Sequence, residues 1–368
     1  MIILWFIIAA VALVGIRFAD SKKFKNSVCK DGYFTDYLSV EKTNSIKGLC
    51  TLLIIVSHSY TYLNLENTFL NNTWRILNYN VVGQGVVAMF MIYSGYAVML
   101  SCSNKGHKYV KMMPKNRVLK VLFNFDIAVL LFLFVQLLLG NHFSIKEIVL
   151  ALVGWNSLGN SNWYIFAIIF MYLFSYIAFI VVKNNKISVL TINLILIFGY
   201  IFVMHKYKDS YFYDTVLLYF IGMVLYLVKD RLELLFKEHK WTYYAALFLF
   251  TAMYLVAYLF RNYSVLIEMI KHCCFGLIFL FLTMKVSVNN KFLGFCGKNL
   301  FSIFILQRMP MLVLAHFGIT EYPALFVAAS ILLTFLIAVP FTAVIGRLDK
   351  IVFKNKIIKK ELTYGNER

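Results

Sequence analysis

Lys47 and His58 are the residues of this sequence whose types and spacing most clearly suggest chemistry. Both stand in one apolar segment. On an α-helix, eleven residues at about 100° each return to within roughly 20° of the start, about 16 Å further along the axis. The two side chains are therefore predicted to share one helix face. Histidine has an unperturbed pKa of about 6.5, which suits it to proton transfer at neutral pH.

An ionisable group inside a membrane segment usually faces a cavity and marks a functional site. The structural alternative is a packed histidine bonded to a neighbouring helix, together with a lysine whose ammonium group reaches the membrane surface. The functional interpretation is favoured here, with His58 as the candidate catalytic residue.

Three further segments place polar side chains in or beside apolar runs: YSGY at Tyr93–Tyr96, WNSLGNSNWY at Trp155–Tyr164, and FILQRMP at 304–310. Serine and glycine permit close helix packing and tryptophans form interfacial belts, so the first two have structural alternatives. The density of Asn and Ser in the second could instead bind sugar hydroxyls, and an arginine within a span is costly. The secondary candidates for a substrate cavity are Tyr93, Ser94, Trp163, Tyr164, Gln307 and Arg308.

The segment 105–120, KGHKYVKMMPKNRVLK, is the densest internal basic cluster. Basic loops mark the cytoplasmic side of membrane proteins, but arginine also binds phosphate groups well. The cluster therefore has two interpretations from its residues alone, membrane topology and binding of the phosphates of an anionic cofactor. His272, which follows Lys271, is interpreted as structural.

The elements that must position these residues are transmembrane helices. The chain has 368 residues, of which 61% are hydrophobic and 14% charged, where a soluble protein carries about 25% charged residues. A bilayer leaves no water for backbone groups, and the two-residue alternation of a barrel is missing. The predicted fold is an all-α, polytopic transmembrane helical bundle of about 10–11 spans without a soluble domain. The predicted spans are 2–16, 47–65, 81–101, 119–140, 162–182, 187–204, 212–228, 241–260, 264–284, 299–316 and 323–345.

The net charge of +19 follows membrane topology and does not predict nucleic-acid binding. Every second loop is basic, so the positive-inside rule places the N-terminus outside a cell membrane and the C-terminus in the cytoplasm, with the basic loops near anionic lipids. The predicted divisions are an anchoring span with a basic loop (1–45), a membrane core (46–345) and a basic tail (346–368). The six cysteines show no metal-ligand spacing, and no metal is expected.

Taken in order, these segments resemble the membrane-bound acyltransferase family 3, the integral-membrane O-acyltransferases of bacterial surface glycans. Lys47 and His58 match the family's opening Arg/Lys-x10-His motif. FMIYSGY (Phe90–Tyr96) is similar to its Phe-rich Ser-Gly motif, and NWYIFAIIFMY (Asn162–Tyr172) to the Trp-Tyr/Phe-Leu start of a middle span.

Two motifs depart from the family pattern. NRVLKVLF (Asn116–Phe123) resembles the R-x-x-R-x-x-P element with Arg117 kept, but Lys120 replaces the second arginine and Phe123 the proline. CGKNLFSIFILQRMP (Cys296–Pro310) resembles the GxxSxxIYLxH segment, with Gln307 in place of the histidine.

The resemblance implies an enzyme that takes an acyl group from cytoplasmic acyl-CoA, usually acetyl-CoA, and transfers it to a hydroxyl of a surface or lipid-linked glycan. It implies donor binding by Lys47, Arg117 and Lys120, and catalysis by His58 as general base or transient acyl acceptor. No fused esterase-like domain is expected, and a homo-oligomer is left open. The alternative is a transporter or flippase of a lipid-linked saccharide, using intramembrane charges such as Arg308 and Glu268.

Overall fold

The computed structural model describes residues 2–19, 29–30, 32–182 and 185–353, and this part of the chain is almost entirely helical. Four short strands within it, β1 (Ile16–Phe18), β2 (Cys29–Lys30), β3 (Tyr33–Phe34) and β4 (Val286–Val288), form the antiparallel pairs β1–β4 and β2–β3. The described α-helices are α1 (Ile2–Leu13), α2 (Val40–Tyr60), α3 (Phe69–Arg75), α4 (Gly85–Met113), α5 (Lys120–Leu138), α6 (Ile145–Leu152), α7 (Trp163–Val182), α8 (Lys186–Tyr207), α9 (Leu217–Glu238), α10 (Lys240–Leu259), α11 (Val265–Lys285), α12 (Lys291–Lys298), α13 (Leu300–Leu306), α14 (Arg308–His316) and α15 (Pro323–Val352).

Seven helical stretches of the described residues are long and apolar enough to cross a membrane, or eight if the bent pair Lys291–Lys298 and Leu300–His316 forms one span. The prediction of an all-α polytopic membrane bundle is confirmed. The predicted basic loop includes residues 20–28 and 31, and the predicted basic tail includes 354–368; these residues lie outside the described part of the chain.

The predicted count of about 10–11 spans exceeds seven or eight for identifiable reasons. Gly85–Leu138 counts as one stretch of 54 residues, which would be about 80 Å long as a straight helix, against a hydrocarbon core of about 30 Å. It contains α4 and α5, and so two of the predicted spans, separated by a π-helical segment at Pro114–Leu119. The 12 residues of α1 are too few for a crossing, and polar residues lower the mean hydropathy of α2.

One predicted span that carries a motif had the wrong ends, and another agrees with the structure. The span 47–65 corresponds to α2, which starts seven residues earlier because the Ser39 side chain caps it by accepting a hydrogen bond from the Lys42 backbone N–H. The helix ends at Tyr60, so His58 lies in its last turn. The span 299–316 corresponds to the segment Leu300–His316, which α13 and α14 form, and a bend of 67° separates this segment from α12.

Close backbone contacts fix the helices that carry the candidate motifs. A Cβ atom on Gly48 of α2 would overlap the backbone carbonyl of Leu293 in α12. A Cβ atom on Gly95 of α4, in the YSGY motif, would overlap the carbonyl of Tyr219 in α9. Small residues at these crossings let the backbones approach, which is how membrane helices associate without a hydrophobic driving force. Gly95 therefore has a packing role that the sequence allowed as the structural alternative.

Candidate active site

His58 lines a cavity of about 540 Å³ at the C-terminal end of α2. The neighbouring Ser57 and Thr61 line it as well, and the Ser57 hydroxyl donates to the Asn78 carbonyl at 3.1 Å. The Nδ1 atom of His58 is buried and has no hydrogen-bond partner in the described chain. The imidazole is therefore not used as a structural crosslink through Nδ1 and faces a space that can hold a substrate.

Arg308 brings a positive charge to the same cavity. It follows Gln307, at the junction where α13 ends and α14 begins, and this break in the helix puts the guanidinium near His58, whose charged form it disfavours electrostatically. Arg308 also interacts electrostatically with Tyr62, and its Nε atom is buried without a hydrogen-bond partner among the described residues. A buried donor of this kind suits an oxyanion that develops during acyl transfer.

The amide-rich segment WNSLGNSNWY forms another wall of the cavity, through Ser157 and the run Asn160–Trp163. Part of its polarity builds the loop, because the Asn162 side-chain amide donates to the Gly154 carbonyl at 2.7 Å and the Asn160 side-chain oxygen Oδ1 accepts from the Leu158 N–H at 3.0 Å. The Asn160 amide nitrogen and the Ser161 hydroxyl are buried without partners in the described chain. These groups remain available for ligand hydroxyls.

A second cavity of about 480 Å³ shares Ser157, Asn162 and Tyr211 with the first. Lys208 lines it, donates to the Trp155 carbonyl at 2.6 Å, and lies 4.0 Å above the centre of the Trp155 ring. Burial lowers the pKa of Lys208, and the neighbouring Asp209 carboxylate partly offsets this effect. The shared lining residues make the two cavities adjacent, on the His58 side of the bundle.

Lys47 and Arg117 form a separate cationic cluster at the other end of the α2 segment that carries the motif. The Lys47 ammonium lies 5.6 Å from the centre of the Tyr93 ring, and the Arg117 guanidinium lies 5.6 Å from that of Tyr172. Arg117 also donates from Nε to the Tyr109 hydroxyl at 3.0 Å. The two cations repel each other electrostatically.

No carboxylate lies within salt-bridge distance of Lys47 or Arg117 among the residues that the structure describes. Two half-buried cations without an internal counter-ion fit an anionic ligand such as a phosphate group. Lys120 differs, because its ammonium lies 2.9 Å from the Asp349 carboxylate of α15 and is 40% exposed. The structure thus brings Lys47 and Arg117 together and places Lys120 in a salt bridge.

Three aromatic rings lie in contact beside the His58 cavity. Tyr164 bonds to Ser94, and its ring lies 6.0 Å from Phe90 and 5.5 Å from Phe304, which lines the His58 cavity. Gln307 is fully buried and donates to the Phe304 carbonyl at 3.0 Å. Of the six secondary candidates, Trp163 and Arg308 line the cavity, whereas Tyr93, Ser94, Tyr164 and Gln307 lie among the packed helices.

Sequence reasoning missed Asp214 and His272 as cavity residues. Both line the same cavity as His58, and their side chains are 3.6 Å apart at the nearest oxygen and nitrogen. The available signal was an acidic residue at the start of one apolar run and a histidine inside another. Only the tertiary packing of α11 against the segment before α9 pairs them.

The fold and the cavity together define a multi-pass membrane protein with a polar internal site that contains an unpaired histidine and an arginine. That class includes membrane enzymes and carriers. Residues 42–343 match the family model described as an acyltransferase domain, and the chain belongs to the acyltransferase family 3. The resemblance predicted from the motifs is confirmed, and the chain is an acyltransferase; the match does not support the transporter or flippase alternative. Neither the search of curated proteins nor the search of solved structures found a match.

Proposed function

We propose that this protein is an O-acyltransferase of the cell membrane that moves an acetyl group from acetyl-CoA to a hydroxyl of a surface or lipid-linked glycan. The donor enters from the cytoplasm at the Lys47 end of α2, and the acceptor enters from outside at the His58 end. This orientation has the basic loops and the C-terminus on the cytoplasmic side.

The donor end requires groups that hold the phosphates of CoA. Lys47 and Arg117 supply two cations without a carboxylate partner in the described chain, and arginine can bind phosphate through two parallel hydrogen bonds. Acetyl-CoA, when bound, supplies an activated thioester carbonyl. Lys47 and His58 are about 16 Å apart along the helix axis, a separation that the extended pantetheine arm of CoA is expected to bridge.

The acceptor end requires a base and a group that stabilises negative charge. His58 takes the proton of the acceptor hydroxyl as its oxygen forms a bond to the thioester carbonyl carbon. Arg308 stabilises the negative charge on the carbonyl oxygen. The carbon–sulfur bond then breaks, and the departing thiolate receives the proton from His58. Alternatively, His58 accepts the acetyl group transiently before the hydroxyl attacks.

One observation carries the proposal: His58, on the same helix as the unpaired Lys47, lines a cavity of about 540 Å³ with a buried nitrogen that no described residue uses. A merely structural histidine would be bonded and packed.

The test uses membranes of the native host that carry wild type, His58→Ala or His316→Ala at matched amounts, supplied with acetyl-CoA labelled in the acetyl group. His316 is an exposed histidine at the end of α14 and controls for loss of an imidazole elsewhere. Label in the envelope glycan is expected for wild type and His316→Ala and should fall at least a hundredfold for His58→Ala.

Equal transfer by all three would remove His58 from the chemistry, and no transfer by any would refute the acetyltransferase. Label retained on wild-type protein after rapid removal of acetyl-CoA at neutral pH, and absent from His58→Ala, would select the transient acetyl-imidazole.

A further inference from the structure

Asp214 and His272 form a buried acid–histidine pair in the wall of the His58 cavity. Asp214 precedes α9 and is 2% exposed, and His272 lies in α11 and is 3% exposed. The Asp214 Oδ2 atom lies 3.6 Å from the His272 Nε2 atom, which also lies 3.9 Å from the Glu268 Oε1 atom. The pair therefore lies between two helices and faces the space that the acceptor would occupy.

The neighbouring charges leave Asp214 without a donor of its own. Lys271 is already paired with Glu268, at 2.7 Å. The His272 Nε2 atom lies 3.6 Å from the Asp214 Oδ2 atom, beyond ordinary hydrogen-bond distance. Both the Asp214 Oδ1 atom and the His272 Nε2 atom are buried without a hydrogen-bond partner in the described chain.

Buried polar atoms are normally bonded, and leaving a charged one unpaired costs more than a bond gains. A carboxyl oxygen accepts hydrogen bonds, so the unpaired Asp214 Oδ1 atom has room for a donor. Sugar hydroxyls are donors of the required kind, and the buried Asn160 and Ser161 of the same cavity offer further groups to a polyhydroxylated ligand. A simple membrane alcohol with one hydroxyl could not use these groups together with His58.

We propose that Asp214, which lies beside His272, is an acceptor-binding residue that accepts a hydrogen bond from a sugar hydroxyl next to the one that His58 deprotonates. This inference rests on the proposed function and adds the class of acceptor: a sugar that presents at least two neighbouring hydroxyls. The pair does no bond making; it orients the acceptor and excludes water as a competing nucleophile.

The experiment measures how the acetyl group is divided between glycan and water. Native-host membranes with the full chain receive labelled acetyl-CoA, and the CoA released and the label in the envelope glycan are measured in the same sample. The variants are Asp214→Asn and His272→Gln, which preserve side-chain size. Asn193→Ala is the matched control, because Asn193 is a fully buried polar residue of α8 that bonds to Ser175 and the Val189 carbonyl, away from the cavity.

We expect glycan label per CoA released to fall about tenfold in Asp214→Asn and His272→Gln, because loss of a hydrogen bond to a charged group admits water in place of the sugar. CoA release itself should stay within threefold of wild type, and the Asn193→Ala ratio should be unchanged. An unchanged ratio in both variants, or an equal fall of CoA release and label at normal protein amounts, overturns the inference and leaves the acetyltransferase standing. Wild-type membranes that release no CoA and label no glycan overturn the proposed function itself.

Discussion

Replacing Lys47 with methionine should weaken CoA binding without weakening the fold. Methionine keeps the length and apolar stem of the side chain and removes the charge. In the described chain the ammonium has no carboxylate partner, so no salt bridge is lost in the protein. What is lost is a cation–π contact with Tyr93 at 5.6 Å, worth about 0.5–1 kcal/mol, together with the repulsion from Arg117, which offsets it.

The expected effect of Lys47→Met on CoA binding, in contrast, is a clear loss of affinity. A hydrogen bond from a charged group to a phosphate contributes about 1.5–3 kcal/mol, and every 1.4 kcal/mol is about a factor of ten in Kd. The Kd for CoA should therefore rise about 10- to 100-fold in Lys47→Met, while the melting temperature stays within about 3 °C of wild type or increases. Calorimetric titration of CoA into protein in nanodiscs gives the first number, and thermal unfolding of the same sample gives the second.

Lys120→Met is the matched control, because it removes the same charge from a lysine that already has a partner. Its ammonium lies 2.9 Å from Asp349 and is 40% exposed, so the salt bridge contributes about 0–1 kcal/mol. The Kd for CoA should change less than threefold. If Lys120→Met weakens CoA binding as much as Lys47→Met does, the assignment of CoA binding to Lys47 and Arg117 without Lys120 is wrong. If Lys47→Met binds CoA like wild type, the donor site is not at this end of α2.

Three further predictions follow from the same contacts. Gly95→Leu should reduce folded protein at least tenfold in detergent extracts measured by size-exclusion chromatography, because the side chain would overlap the Tyr219 carbonyl, whereas Gly199→Leu, at an open position of α8, should not. Arg308→Gln should lower kcat about 100-fold with less than a threefold change in CoA affinity, because it removes a charge from the His58 cavity only; a change in affinity alone would contradict its role with the oxyanion. Ser144→Ala should increase hydrogen exchange in α6 about fivefold, because it breaks the capping box with Glu147. Acetyl transfer should be unchanged, because neither residue lines the His58 cavity. Amides of α6 that stay protected in the variant would show that the box is dispensable.

The local part of the site could be predicted from the sequence, because helical periodicity alone determines it. Lys47 and His58 stand on one helix, and apolar runs long enough to cross a membrane predict the bundle around them. The ends of α2 could not be predicted, since the polar start of the helix, capped by Ser39, continues beyond the apolar run. Arg308 was identified as costly in a span, but only the helix break at Gln307 shows that it reaches the His58 cavity.

Pairings between distant segments could not be predicted, because charge type does not determine distance. Glu268 and Arg308 were both identified as charges within the membrane, yet Glu268 is bonded to Lys271. Lys120 matched a family motif for cofactor binding, yet its nearest carboxylate is on α15, more than two hundred residues later. His272 was interpreted as structural because its neighbours in sequence gave no other reason, and Asp214 adjoins it only through the packing of two helices.

The distribution of charges explains why donor and acceptor can occupy different ends of one helix. Three lysines of the described chain form salt bridges with acidic residues: Lys120 with Asp349, Lys229 with Glu233 and Lys271 with Glu268. The same described chain leaves Lys47 and Arg117 without acidic partners. Near the His58 end of α2, it leaves Asp214 without a close donor. A salt bridge between these groups would neutralise both and bind neither a phosphate nor a sugar. The part of α2 between Lys47 and His58 rises about 16 Å and separates the cationic cluster from the His58 cavity, as the proposed transfer requires.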